Sequence, residues 1–354
     1  MARILFTCGR EPEYTRNDVL LRALRPRHDL ITVTDDRTGS LTARSLRLLP
    51  RLVRALRRPD YDLVFIGFYG YLLVPLARRL THRPILFDAF VSNYDTLCFD
   101  RRRFAPTSLM GRLAFGLDRL GCNSANRVLL DTAAHREFFA NTFDLPADKM
   151  RHLFVSCNEN LFYPRPPGSR ETFQVLHYSS FLPLHGVEHI LAAAAELRQE
   201  PHIRFRFIGS GMRHDPARGL AQRLNLTNVE FVPPVPYADL PGEIAAADLC
   251  LGGPFGDTPK AGRIIPGKIF QFLSMAKPVV AGDTQGNREL LRDGHDALLA
   301  PVAEPRALAD AIIRLQRDPD LAQTLAANGH GTYRRRASEA VVGRELESII
   351  AELL

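Results

Sequence analysis

Short apolar runs, each stopped by glycine or a polar cluster, alternate along this chain with segments of helical apolar spacing, and nothing else constrains its fold as strongly. Runs at 3–8, 29–34, 63–68, 84–90 and 127–130 enclose helical patterns at 17–25, 44–58, 72–80 and 108–120. Strands and helices in strict alternation fold as right-handed βαβ units on a parallel sheet. The alternation breaks at 158–172, where three prolines, a glycine and charged residues cluster. It then restarts, with strands at 173–178, 203–209, 229–232, 249–251, 278–281 and 297–300. Between and beyond them helices are expected at 187–197, 217–224, 237–246, 287–293 and 308–316, with two more near 320–333 and 337–354. The expectation is an α/β chain of two Rossmann-like, doubly wound halves. Residues 1–160 form the first domain, 161–172 the linker and 173–336 the second domain, and the helix 337–354 crosses back to the first. Such sheets bind ligands outside the carboxyl ends of their strands, which points to the cleft between the two halves.

The composition suits this. Of 354 residues, 45% are hydrophobic and 24% charged, the balance of a globular chain rather than a disordered one. No signal-peptide pattern and no apolar run of bilayer length occurs, and the five cysteines lack paired spacing, so reduced thiols and a cytoplasmic setting are expected. The net charge of +7 suits phosphorylated ligands or anionic lipid. Without a zinc-finger or ribonucleoprotein motif, nucleic acid is not an expected partner. In the segment 44–58, Arg44, Arg47, Arg51, Arg54 and Arg58 line one helical side opposite a leucine stripe. A solvated face is the plain reading, and peripheral contact with an anionic inner-membrane face is the functional one.

The stretch 246–283 carries the clearest chemistry. A buried strand runs into a Gly/Pro-rich loop, then a short apolar helix with Pro266 in its first turn, then a second buried strand. Lys260, Arg263 and Lys268 crowd the start of that helix, where free N–H groups and the positive end of the dipole attract an anion. Gln271 lies one turn on. A diphosphate is the expected ligand. Gly209-Ser210-Gly211 follows another strand without the third glycine of a dinucleotide fingerprint, so close backbone approach is the better reading. His185-Gly186-Val187-Glu188-His189 matches an inverted zinc-peptidase motif, but Pro183 and Gly186 keep His185 off the helix, and no metal site is expected. In the first half, Asp88, Ser92, Asp95 and Asp100 follow a buried strand and meet Arg101, Arg102 and Arg103. Asp131 or Thr132 is expected to cap the next helix, with His135 on its surface.

Several segments, in this order, resemble the GT4 family of GT-B glycosyltransferases: VLHYSSFLPLHGVEHILAAAAEL, FRFIGSGM, NVEFVPPVPYADLPGEIAAADLCL and PGKIFQFLSMAKPVVAGDTQGNRELLRDGHDALLAP. FDAFVSNYDTLCFDRR and VLLDTAAHREFF resemble a bacterial subgroup that also carries Pro-Leu-His-Gly and Ile-Pro-x-Lys. The resemblance implies a GT-B fold and a retaining, metal-independent transfer from a nucleotide-diphosphate sugar, UDP- or GDP-linked, with no other cofactor. The acceptor would be a small molecule, a lipid-linked sugar or a glycan. Basic groups and a helix terminus would neutralise the leaving diphosphate. Carried onto this chain, the donor side comprises Ser179, Ser180, His185, Gly186, Gly209, Gly211, Val232, Lys260, Ile265, Pro266 and Gln271. Asp88, Arg263 and Lys268 stand at the reacting centre, and Arg10, Arg16, Asn17, Tyr94 and Asp95 on the acceptor side. The chain also departs from the family. The pyrophosphate arginine and lysine fall on Ser180 and His185, the ribose glutamate on Gln271, its partner carboxylate near Arg263, and the N-domain histidine on Asp88. These losses leave two alternatives open, a non-catalytic nucleotide-binding GT-B subunit and a nucleotide-sugar epimerase.

Overall fold

The computed structural model describes residues 1–37, 41–58, 60–166 and 171–354. The chain divides into two compact units, Met1–Asn158 with Glu339–Leu354, and Glu159–Ser338. Of the expected linker, residues 167–170 lie outside the described residues. Phe162 is wholly buried in the second unit, edge-on to Tyr237 at 5.3 Å, and its carbonyl accepts the Ser274 hydroxyl at 2.6 Å.

In chain order the first unit contains β1 (Arg3–Cys8), α1 (Thr15–Leu24), β2 (Asp29–Val33), α2 (Leu41–Leu56), β3 (Leu63–Gly67), α3 (Leu73–Leu80) and β4 (Ile85–Asp88). It continues with α4 (Leu109–Ser124), β5 (Arg127–Leu130), α5 (Ala133–Phe143) and β6 (Met150–His152). The six strands form one parallel sheet in the order β2-β1-β3-β4-β5-β6. Inner strands such as β3 are buried at every residue, as a sheet covered on both faces requires.

The helix α2 buries Leu48, Leu52 and Leu56 at four-residue spacing. Its arginines are not all solvated. Arg44 is buried and pairs with Glu11 at 2.8 Å, Arg47 pairs with Asp35 at 2.7 Å, and Arg51 donates to the Thr34 carbonyl at 3.1 Å. Three of the five cations on the expected basic face are therefore committed to holding α2 against the loops after β1 and β2. Arg54 and Arg58 remain exposed.

The second unit runs β7 (Phe173–Ser179), α6 (Val187–Glu196), β8 (Ile203–Gly209), α7 (His214–Arg223), β9 (Val229–Val232), α8 (Leu240–Ala246) and β10 (Leu249–Gly253). It ends with α9 (Gly267–Ser274), β11 (Val279–Asp283), α10 (Gln285–Arg288), β12 (Leu298–Pro301), α11 (Pro305–Arg317) and α12 (Pro319–Arg336). Its parallel sheet has the order β12-β11-β10-β7-β8-β9. The order reverses between β7 and β10, so the loops leaving these two strands diverge and open a crevice at their carboxyl ends. On α11, Leu308, Ala309, Ile312 and Leu315 are buried, a helical stripe against the sheet.

Helix boundaries differ from expectation where local chemistry intervenes. Pro241 at an N-terminal position starts α8 at Leu240 rather than 237, and α10 is one short turn whose Thr284 hydroxyl accepts the Asn287 N–H. Finally α13 (Glu339–Ala351) lies on α1, with Arg22 paired to Glu339 at 2.7 Å and Arg27 donating to the Gly343 carbonyl. Among the described residues no helix is long and apolar enough to cross a membrane, and all five cysteines are free and buried.

Candidate active site

In the second unit the site is built at the β7/β10 reversal. β7 ends in His177-Tyr178-Ser179, and the next residues, Ser180-Phe181, turn against the Gly209-Ser210-Gly211 exit of β8. The glycines permit that contact. Gly209 and Gly211 lie at φ +130° and +147°, and a Cβ on either would stand 2.0 Å from the Ser179 carbonyl oxygen or 1.9 Å from that of Ser180. The sequence expectation of close backbone approach is what these distances describe. Ser180 is exposed and Ser179 half-buried. Val232, at the end of the neighbouring β9, is also half-buried.

The chain then makes a 3₁₀ turn, Pro183–His185, closed by Gly186 at φ +60°. A Cβ there would meet Gly256 N at 2.4 Å, so this turn is pressed onto the loop after β10. His185 and His189 are separated by this left-handed residue, which puts His185 outside α6 as expected. The loop itself is tied down from β11 and α10. The Asn287 side chain donates to the carbonyls of Gly253 (2.9 Å) and Gly282 (2.8 Å), and Gly286 packs on the Arg263–Ile264 backbone. Pro266 is the residue before the first helical turn, one position earlier than expected, and Ile265 beside it is buried.

These constraints bring His177, His185, Lys260 and Lys268 together. His177 and His185 have ring centroids 6.3 Å apart, and Lys268 Nζ lies 5.7 Å from the Tyr178 ring centroid. Lys268 Nζ is buried and makes no hydrogen bond among the described residues, and the same holds for His185 Nδ1. A buried ammonium without an acceptor is costly, and here it is pushed down to about 7 by burial. Burial, then the positive charge of Lys268, holds both histidines well below their ordinary range. His185 adds to this at His177, and Lys260 does so at His185. A neutral His177 with Nδ1–H toward the Leu251 carbonyl (3.4 Å) and Nε2 accepting from the Ser179 hydroxyl (3.1 Å) satisfies both contacts. Gln271 is buried and donates through Nε2 to the Tyr237 hydroxyl at 3.2 Å, which leaves its carbonyl oxygen as an acceptor. Arg263 lies half-exposed in a 3₁₀ turn, Ala261–Arg263. The cluster gathers two lysines and two histidines held neutral by burial beside the β7/β10 reversal.

The first unit gathers a different set. Asp88, at the end of β4, is wholly buried, and so is Arg16. Arg16 Nε and Nη2 reach Asp88 (2.9–3.2 Å), and Nη1 donates to the carbonyls of Leu153 and Phe154, both at 2.9 Å. Burial raises the Asp88 carboxyl above its ordinary value, and Arg16 opposes the rise. An acceptor contact by Arg16 and an open, sugar-facing Asp88 therefore need correction: each is the other's enclosed counter-ion. Asn17 is buried as a clamp between two loops, accepting from Phe68 N at 3.1 Å and donating to the Glu11 carbonyl. Arg10 is half-exposed beside Glu11 and over the Tyr14 ring. Tyr94 packs edge-on to Phe99 and Phe115, and Asp95 begins a π-helical turn, Asp95–Asp100. Asp118 organises this turn by accepting from the Ser92 hydroxyl (2.7 Å), Asn93 and Tyr94 N, and burial pushes it up to about 6. At the start of α5 Thr132 is the cap, one of the two residues expected, whereas His135, expected at the surface, is wholly buried with Nδ1 2.7 Å from Asp131.

Sequence reasoning missed His177, Tyr237, Asn287 and Asp118. A polar residue inside an apolar run, near its carboxyl end, was the available signal for His177. The others act through contacts between distant segments.

Comparison with known proteins bears on what the pocket serves. Residues 172–318 match the family described as glycosyl transferases group 1. Alpha-D-kanosaminyltransferase of Streptomyces kanamyceticus is 24% identical over 309 residues, covering 81% of this chain and 74% of the relative. A Mycolicibacterium smegmatis enzyme, the GDP-mannose-dependent alpha-(1-6)-phosphatidylinositol monomannoside mannosyltransferase, is 26% identical over 295 residues, 79% of this chain and 73% of the relative. The crystal structure of Anabaena HepE with UDP and glucose superposes with a TM-score of 0.74 at 20% identity, covering all of both chains. The two six-stranded parallel sheets are those of a GT-B fold. The chain is a glycosyltransferase, GT-B in fold.

Proposed function

We propose that the chain transfers a sugar, with retention and without a metal ion, from a UDP- or GDP-linked donor to a small-molecule, lipid-linked or glycan acceptor. The observation that carries this reading is the buried ammonium of Lys268 and the Nδ1 of His185, both without a hydrogen-bond partner among the described residues, at the β7/β10 reversal. A diphosphate supplies what both lack. Lys268, Lys260 and Arg263 neutralise the charge that grows on the leaving group, with the backbone N–H groups of Ser179-Ser180 and the start of α9 as further donors. The carbonyl oxygen of Gln271 takes the place of the family's glutamate carboxylate toward a ribose hydroxyl. Asp88 acts at one remove: paired with Arg16, it fixes the end of β4 and the backbone that follows. Of the acceptor-side residues, Arg10 keeps an accessible cation.

UDP is the first nucleotide to test, since HepE was crystallised with UDP and glucose; GDP is the second, since the mannosyltransferase relative is GDP-mannose-dependent. Calorimetry with UDP and GDP, then release of nucleotide from UDP- and GDP-sugars with and without acceptor and with EDTA, tests the proposal. Micromolar binding lost in Lys268→Ala is expected. Equal affinity in wild type, Lys268→Ala and Arg263→Ala would remove the donor from this pocket.

A further inference from the structure

The helix α4 presents an apolar stripe to solvent. Leu109, Leu113 and Leu120 are 73%, 56% and 52% exposed, with Met110 (46%) alongside. Positions 109, 113, 116 and 120 fall within a narrow arc of a 3.6-residue helix, so the leucines form one line about 17 Å long. Gly116 lies in that line, and nothing stands within 4 Å of where its Cβ would be. The opposite side of α4 is the buried one, where Gly111, Ala114, Asp118, Gly121 and Cys122 face the unit. An ordinary amphipathic helix puts its apolar residues there and leaves charges outside. In α4 the pattern is doubled, with a second apolar face outward.

The exposed charges on α4 and on the segment leading to it are all basic. Arg112 and Arg119 border it on the helix, and Arg101, Arg102 and Arg103 are exposed in the segment leading to it. The two acidic residues between 100 and 123, Asp100 and Asp118, are both buried. Beside the helix, a cavity of about 450 Å³ is lined by Tyr94, Pro106, Thr107, Arg112 and Phe115. Apolar side chains bordered by arginines, of which Arg119 also has the exposed Asp144 at 3.9 Å, match the boundary of an anionic bilayer, where the apolar groups enter the acyl region and the guanidinium groups meet phosphates. The competing surface, α2, has spent Arg44, Arg47 and Arg51 on internal contacts.

We propose that α4 with the Arg101–Arg103 segment docks the protein on an anionic membrane surface. The test is co-sedimentation of the full chain with vesicles of phosphatidylcholine alone or mixed with phosphatidylglycerol. Wild type should partition onto the mixed vesicles and dissociate as salt is raised. Leu109→Ser/Leu113→Ser/Leu120→Ser should weaken partitioning roughly tenfold or more. Arg101→Gln/Arg102→Gln/Arg103→Gln should weaken it by about two orders of magnitude. Arg54→Gln/Arg58→Gln on α2 is the comparison and should stay within about twofold of wild type. All these positions are exposed, and unchanged circular dichroism and nucleotide affinity would show that the variants fold. Equal partitioning onto neutral and mixed vesicles, or wild-type partitioning by both α4 variants, overturns the proposal. So does an apolar variant that changes the oligomeric state while vesicle binding persists, because a second copy of the chain would then cover the stripe.

Discussion

Replacing Lys268 with methionine keeps the stem and removes the charge, and it should make the nucleotide-free protein more stable while disabling the site. Burial lowers this ammonium from 10.5 to about 7. At about 1.4 kcal/mol per pH unit, enclosing the charge costs up to about 5 kcal/mol relative to the unfolded chain. The sign follows from proton counting. Below about pH 7 folded and unfolded forms both carry the proton and the full cost is present. Between about 7 and 10.5 the unfolded chain binds a proton that the folded one has lost, so stability rises with pH. Lys268→Met should therefore melt higher than wild type at pH 6.5, with the difference closing as pH approaches 10. Even a third of the full cost corresponds to roughly 3–6 °C for a domain of this size. Saturating UDP should raise the wild-type melting temperature and leave that of the variant unmoved. The diphosphate also re-forms the ammonium, so at pH 8 binding should take up nearly one proton per nucleotide. Calorimetry in buffers of different ionisation enthalpy reads this directly. A variant that melts with wild type at pH 6.5, still responds to UDP and shows the same proton uptake would refute the reasoning.

Three other perturbations have defined outcomes. Asp88→Asn leaves the Arg16 guanidinium buried against a neutral partner and should cost about 3–5 kcal/mol in chemical denaturation; a wild-type midpoint would mean the pair is not enclosed in solution. Gly211→Ala drives a Cβ into the Ser180 carbonyl at a φ of +147°, and should cost at least about 2 kcal/mol and weaken UDP binding; unchanged binding would show that the Ser180 loop is free to move. Asp118, raised from 3.8 to about 6, holds a proton that the unfolded chain releases between those values, so its contribution is full below pH 3.8 and lost as pH rises through 6. Asp118→Asn should flatten about 3 kcal/mol of that fall, read from urea midpoints between pH 4 and 7, and an unaltered slope would assign the fall to other groups.

The strand–helix alternation determined the double parallel sheet by itself, because period and run length are local properties and βαβ handedness leaves few topologies. It also located the stretch from β10 to β11, since glycine, proline and lysine there act through backbone geometry and charge that composition displays. Tertiary structure decided what each charge does. Arg16 and Asp88 stand 72 positions apart, and only the fold turns them from candidate ligand contacts into an enclosed pair. The arginines of α2 read as a free basic face until the loops after β1 and β2 supply their acceptors, while for α4 the sequence predicts only a helix, and the fold decides that its leucines face outward. Lys268 shows the division most plainly. Its place at a helix start is written in the sequence, but the absence of any acceptor around its buried nitrogen among the described residues depends on where β7, the Pro183–His185 turn and the β10 loop converge. Burial and the inventory of partners are properties of that convergence, and they are why this helix-start lysine is the group proposed to meet the diphosphate.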